Sequence, residues 1–248
     1  MKEGVSGFGS ENTPLRRKES SPLGTGRLII MRHAEAQHNV PGQSHITSPQ
    51  LTVLGRKQAI LAGQYFKEQG ISFSSIYTSG RPRTNQTAEF MMLPGVVIHH
   101  EERLHERDSG IYAEKLMGQT RATTEKLGHV LSQLPDEQRW DHIPQLDGVD
   151  TQTYETERAA AERFNGALIN IASSHPGETI LVIAHEGIMR SYLASLRQEE
   201  RATHGNAESV FSGLHISNTG FYTVEGFSVE DEIKFKVTDL QLSGISDS

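Results

Sequence analysis

A chain of 248 residues is long enough for one large domain or two small ones, and 35% hydrophobic with 22% charged residues is the composition of a globular protein. The formal charge of −7, from 24 basic and 31 acidic residues, excludes the broad electrostatic footprint of a nucleic-acid or anionic-membrane binder, so an anionic ligand has to be met by a local cluster. The absence of cysteine excludes disulfides and thiol chemistry, no stretch approaches the roughly 20 apolar residues of a membrane span, and the N-terminus lacks a signal peptide's apolar core; the expected location is cytoplasmic.

Residues 1–26 are rich in Gly, Ser, Pro and charge, show no period that buries a face, and are expected to be a flexible leader. From Leu28 the pattern changes to LIIM, a continuous apolar run suited to a central strand buried on both faces. In LTVLGRKQAILAGQYFKEQG, residues Leu54, Leu61 and Tyr65 recur at helical spacing, with Thr52 to cap the start and Gly70 the end. FSSIYTS reads as a second strand, RPRTNQTAEFMM as a helix with Pro82 in its first turn, and GVVIHH as a third strand. The stretch 111–150 reads as irregular. A long helix follows in TYETERAAAERFNGALINIASS, with Phe164, Leu168 and Ile171 on one side. ETILVIAH reads as a second doubly buried strand, GIMRSYLASL opens another helix, and TGFYTVEGF with IKFKVTDLQL reads as edge strands or a hairpin.

Strands alternating with helices predict an α/β fold, a mostly parallel sheet covered on both sides, in which ligands bind at the carboxyl ends of the strands. Three of these strands end in polar residues: LIIM in Arg32 and His33, SIY in the stretch from Ser79 to Arg83, and ILVIA in His185. The edge they form carries two guanidiniums, which are fixed donor forks for phosphate oxygens, and two imidazoles. Arg83 also falls in the first turn of a helix, whose free N–H groups favour an anion. A phosphate site containing a histidine is the expectation; a lone core histidine bonded to a carbonyl is the bland alternative, and an arginine beside His33 at a strand end argues against it.

LIIMRHAEAQHN resembles the R-H-G-E-x-x-x-N signature of the histidine phosphatase (phosphoglycerate mutase-like) superfamily, with Ala34 where glycine is usual. LTVLGRKQA, YTSGRPRTNQTAE, RLHERDSG and VIAHEGIMR resemble four further motifs of that family in the same order. The resemblance implies a three-layer α/β/α sandwich, with residues 27–248 forming one domain that carries a specificity insertion at about 111–150. It implies that His33 is the nucleophile that becomes phosphorylated, that Arg32, Arg83 and His185 surround the phosphoryl group, that Asn39 joins the pocket, and that Glu106 protonates the leaving oxygen. Arg107 stands in the place of a substrate-binding arginine. No metal and no other cofactor is implied, because the arginines and His185 supply the positive charge. Glu186 departs from the pattern by replacing the glycine that commonly follows the second histidine, and GIYAE replaces an aromatic-Glu-Gly segment.

RLHERDSG is most similar to the cofactor-dependent phosphoglycerate mutases, yet Ser109 replaces their tyrosine. A mutase has to retain a bisphosphorylated intermediate, which needs extra cations. The insertion carries Lys115, Arg121, Lys126 and Arg139 against Glu114, Glu125, Asp136, Glu137, Asp141 and Asp147. Hydrolysis of a small phosphorylated metabolite or a phosphoprotein is therefore the expected activity, with Trp140 and its neighbours bearing on substrate preference. The alternatives are a mutase, a pseudoenzyme that binds phosphorylated ligands without turnover, and a metal-binding protein built on His99, His100 and His105. Adjacent strand histidines face opposite sides of a sheet, which disfavours the last.

Overall fold

A computed structural model describes residues 26–43, 46, 48–111, 120–204, 208–229 and 232–245. The expected leader lies outside the described residues except for Gly26, and so do residues 112–119 of the insertion, Tyr112, Ala113, Glu114 and Lys115 among them. The strands are β1 (Arg27–Arg32), β2 (Ser75–Thr78), β3 (Val97–His100), β4 (Thr179–Ala184), β5 (Phe221–Val229) and β6 (Glu232–Gln241). The helices are α1 (Val53–Glu68), α2 (Pro82–Phe90), α3 (Thr120–Ser132), α4 (Asp136–Arg139), α5 (Glu157–Ser174) and α6 (Glu186–His204).

The six strands form one mixed sheet in the order β3-β2-β4-β1-β5-β6. β3, β2, β4 and β1 run parallel, and β5 joins β1 antiparallel and turns back into β6 as a hairpin at the edge. The unbroken apolar runs of β1 and β4 follow from their central position, because alternate side chains enter different cores. Leu28, Ile30, Ile180 and Val182 face α5 and α6, with Phe164, Leu168 and Ile171 in the same cluster. Ile29, Met31, Leu181 and Ile183 face the side of α1 and α2. The result is the three-layer α/β/α arrangement expected.

α1 begins as its sequence suggests: the Thr52 hydroxyl accepts the Gly55 N–H at 2.9 Å and donates to Glu35 Oε1 at 2.6 Å. Its buried face differs from the expectation, however. Leu54 is 51% exposed, and the residues turned inward are Gly55, Ala59, Ala62, Gly63 and Phe66. A Cβ on Gly55 would collide with the Glu35 carbonyl, and one on Gly63 with the Met91 carbonyl. Close approach of α1 to the loop after β1 and to the end of α2 selects small residues over the larger apolar ones.

The 111–150 stretch is also more regular than expected, since it contains α3 and the short α4. Leu127 and Leu131, one turn apart, pack with Tyr154 into a small cluster of their own, which is what gives α3 a face to bury. Trp140, expected to bear on substrate preference, is packed into the core. It is 2% exposed and lies in the larger core, its ring 4.8 Å from that of Phe211.

Candidate active site

The parallel register sets Arg32 opposite Ala184 and Thr78 opposite Ile183, so the residues that follow the three central strands emerge side by side. The His33 N–H continues the ladder onto the Ala184 carbonyl at 3.0 Å. The rings of His33 and His185 then stand 5.3 Å apart at 63°, 2% and 0% exposed. Arg83, second residue of α2, reaches between them: its Nε–H points at Nε2 of His33 and Nδ1 of His185, 3.2 Å from each.

These contacts fix the two tautomers. Nδ1 of His33 lies 2.7 Å from the Ala34 carbonyl and must carry the proton, which leaves the Nε2 lone pair toward Arg83. In His185 Nδ1 faces the same arginine, so Nε2 carries the proton and donates to the Ser79 hydroxyl at 2.8 Å. Both imidazoles are held well below their ordinary pKa, first by burial and then by the nearby guanidinium of Arg83. Burial also lowers Arg83, to about 10, against the raising effect of Glu106, so it remains a cation at neutral pH.

Arg32 ends β1 with its Nη1 donating to the Ile216 carbonyl at 2.6 Å and paired with Glu186 Oε2 at 2.7 Å. Glu106 lies at the start of α6. Its carboxylate accepts the N–H groups of Ile188 at 2.8 Å, Gly187 at 3.1 Å and Arg107 at 2.8 Å. Two of these are orphan donors of the first helical turn, which the Glu106 side chain satisfies. Gly187 leaves room for this carboxylate, since an added Cβ would sit 2.6 Å from Glu106 Oε1 and push it back.

Two expected residues are placed differently. Asn39 closes the 3-10 turn Gln37–Asn39, its Oδ1 accepting the Ala36 N–H at 3.0 Å and its Nδ2 3.3 Å from His38 Nε2. It shapes the pocket through His38, whose ring is 5.5 Å from that of His33. Arg107, expected at the substrate, is directed away from the pair of histidines. Its guanidinium donates to the Tyr154 hydroxyl at 3.0 Å and the Glu155 carbonyl at 3.2 Å, and lies 3.9 Å from the fully buried Glu157. Burial alone would raise the Glu157 pKa, yet Arg107, Arg190, the Ser191 hydroxyl and Arg139 hold it below the usual carboxylate range. That one carboxylate ties the segment carrying Glu106 and Arg107, the insertion and α6 together.

Three residues around the two histidines are given no role by the sequence reading. His38 is held at about 3 by burial, then by Arg83 and Arg32, and only its place before Asn39 in the first motif hints at it. Ser79 orients His185, and Asn218 donates to the His33 carbonyl at 2.9 Å from a turn 185 residues away. His99 and His100 belong to β3, one stacked on Tyr77 and the other 3.0 Å from the Thr78 hydroxyl. Among the described residues no three His, Cys, Asp or Glu side chains are grouped to hold a metal ion.

The model of the histidine phosphatase superfamily, branch 1, matches residues 28–226. The chain belongs to the histidine phosphatase superfamily. Within it, phosphoserine phosphatase 1 of Hydrogenobacter thermophilus is 28% identical over 173 residues, 68% of this chain and 75% of that protein. A 2,3-bisphosphoglycerate-dependent phosphoglycerate mutase of Bartonella bacilliformis is 34% identical over 88 residues, 34% of this chain and only 43% of the mutase. Among solved histidine phosphatase folds, a mycobacterial glucosyl-3-phosphoglycerate phosphatase in complex with VO3 has a TM-score of 0.62 at 20% identity, covering 88% of this chain and 99% of that one. At such identity the structure establishes the shared fold.

Proposed function

We propose that this histidine phosphatase hydrolyses a phosphomonoester, a small phosphorylated metabolite or a phosphoprotein, through a phosphohistidine on His33. The observation that supports this most is the fixed tautomer of His33: the Ala34 carbonyl holds the Nδ1 proton at 2.7 Å, and the Nε2 lone pair faces the cation Arg83. A neutral imidazole so oriented is a nucleophile for phosphorus.

An entering phosphoryl group takes over the Arg83 guanidinium, which frees the lone pair. Nε2 forms a bond to phosphorus in line with the departing oxygen, the ester P–O bond breaks, and its electron pair leaves with that oxygen. The phosphoryl dianion entering beside Glu106 favours its protonated form, and Glu106 delivers that proton to the departing oxygen. Arg32 and Arg83 oppose charge on the equatorial oxygens, and a phosphoryl dianion between the rings favours the protonated form of His185, whose Nδ1–H then donates as well. In the second step the Glu106 carboxylate takes a proton from water, the water oxygen bonds to phosphorus, and the P–N pair returns to His33. Asn39 and Asn218 hold the turns on which the nucleophile rests. The acidic balance of the 111–150 stretch, which offers few cations to retain a second phosphate, supports hydrolysis over mutase transfer.

The test is a Glu106→Gln protein mixed briefly with p-nitrophenyl phosphate, whose leaving group departs without a proton. Turnover of alkyl phosphates is expected to fall by about 10²–10⁴-fold, as for lost acid–base catalysis, while the phosphoenzyme accumulates. Intact mass should show one acid-labile, base-stable adduct, mapped to His33. Hydrolysis without an adduct, or an adduct on His185, overturns these roles. A panel of phosphomonoesters, assayed with and without 2,3-bisphosphoglycerate, identifies the substrate class and separates hydrolysis from transfer.

A further inference from the structure

Glu186 places a carboxylate where the motif commonly has glycine, beside a site built for an anion. We propose that Glu186 is an internal anion that occupies Arg32 until a phosphoryl group displaces it, and so sets the affinity of the site for phosphate and for the substrate's phosphoryl group. This rests on the reading of Arg32 as a phosphoryl ligand.

The Arg32 side chain is only 10% exposed, and Nη1, its donor toward the rim, already faces both the Ile216 carbonyl and Glu186 Oε2 at 2.7 Å. Its Nε is buried without a hydrogen-bond partner. The guanidinium is therefore incompletely satisfied while its charge is matched by Glu186. A phosphoryl dianion close to Arg32 meets that carboxylate at short range, and like charges in a partly buried site repel strongly. Binding must pull Glu186 off Arg32.

The structure supplies a place for the displaced group. Glu186 Oε1 is already 2.8 Å from Nδ1 of His215, whose side chain is 76% exposed at the rim, so the carboxylate keeps a partner when Oε2 lets go. Glu186 is also the first residue of α6, where the helix terminus tolerates an anion in either position. The device trades ground-state affinity for release of the product, inorganic phosphate, which would otherwise inhibit each turnover.

Titration of inorganic phosphate into the purified full chain tests this without relying on catalysis. Glu186→Gln removes the charge at nearly constant shape, and phosphate should then bind about tenfold more tightly, a change of about 1.4 kcal/mol. The KM for a phosphomonoester should fall in parallel and by a larger factor than kcat. Damage to the fold cannot mimic this, because damage weakens binding. His215→Ala, which removes the alternative partner, should weaken phosphate binding in the parent and have no effect in the Glu186→Gln background. Unchanged or weaker phosphate binding by Glu186→Gln overturns the proposal, as does an equal effect of His215→Ala in both backgrounds. If neither protein binds phosphate, this inference and the reading of Arg32 both fail. If both bind it in the expected order and no phosphomonoester is hydrolysed, the hydrolase reading fails alone.

Discussion

Gly187→Ala is a one-carbon perturbation aimed at the acid rather than at the fold. The new Cβ would lie 2.6 Å from Glu106 Oε1 and 3.1 Å from its Cδ. Ordinary contact begins near 3.4 Å, so the carboxylate has to retreat by about 0.8 Å. It is the far end of a side chain, and it can move where a carbonyl could not. Retreat lengthens its bonds to the Gly187 and Ile188 N–H groups and withdraws the proton donor from the leaving oxygen. A displacement of this size in a positioned catalytic group lowers turnover by about 10²-fold. Stability should change little, since losing those capping bonds costs about 1 kcal/mol and alanine in place of glycine in a helix returns a similar amount. The assay is kcat on an alkyl phosphate beside p-nitrophenyl phosphate, together with the urea midpoint. The alkyl ester should lose about 10²-fold and the nitrophenyl ester clearly less. In the Glu106→Gln background the same substitution should add almost nothing, because the two changes remove one function. Equal losses on both esters, or full turnover of the alkyl ester at unchanged stability, would refute the placement of Glu106 as the acid.

Acid should destabilise the protein in a defined window. His33 and His185 sit well below 6.5 in the folded state and His38 at about 3, so below about pH 6.5 the unfolded chain binds protons that the folded one refuses. Each such histidine removes about 1.4 kcal/mol per pH unit as pH falls, and the three together roughly 4; urea midpoints that stay flat between about pH 7.5 and about pH 5 contradict this. Glu157→Ala strips the carboxylate from Arg107, Arg139 and Arg190 and should cost about 3–5 kcal/mol, because it leaves buried guanidiniums without compensation. A chemical denaturation curve that moves by less than about 1 kcal/mol would show the cluster to be solvated. Thr52→Ala removes both the cap of α1 and a bond to Glu35 and should lower stability by about 1–2 kcal/mol, read as a shift in the thermal midpoint.

The sheet is legible because its signal is local. LIIM and ILVIA are apolar at every position, and only a strand buried on both faces uses such a run. Helices are less legible where packing distance rather than hydrophobicity chooses the residue. In α1 the periodic large residues point to Leu54, but the face that meets the Glu35 and Met91 carbonyls admits only small ones, a constraint set by chains far apart in sequence. α3 escapes notice for a different reason. Thr123, Thr124 and Gly128 are weak helix formers, and Leu127 and Leu131 gain their partner only when Tyr154 folds against them. Trp140 looks like a ligand surface in an irregular stretch, and becomes core once Phe211 arrives from the other end of the chain.

The site divides along the same line. Arg32, His33, Arg83 and His185 can be grouped from the sequence because a parallel sheet delivers strand ends to one edge, whatever the loops do. Arg107 cannot be placed that way, since its direction is decided by the Tyr154 hydroxyl, the Glu155 carbonyl and the Glu157 carboxylate, far along the chain. The motif around the second histidine shows how much a one-residue offset conceals. Read as H-E-G, it seems to have lost its glycine to a carboxylate. In the fold the glycine that matters to Glu106 is the second residue of α6, where an added Cβ would sit 2.6 Å from Glu106 Oε1. Glu186 stands one residue earlier, facing the opposite neighbour, Arg32. On the roles proposed for Glu106 and Arg32, the two consecutive residues serve the two sides of one phosphoryl pocket: Gly187 by leaving room for the acid, and Glu186 by contesting the cation.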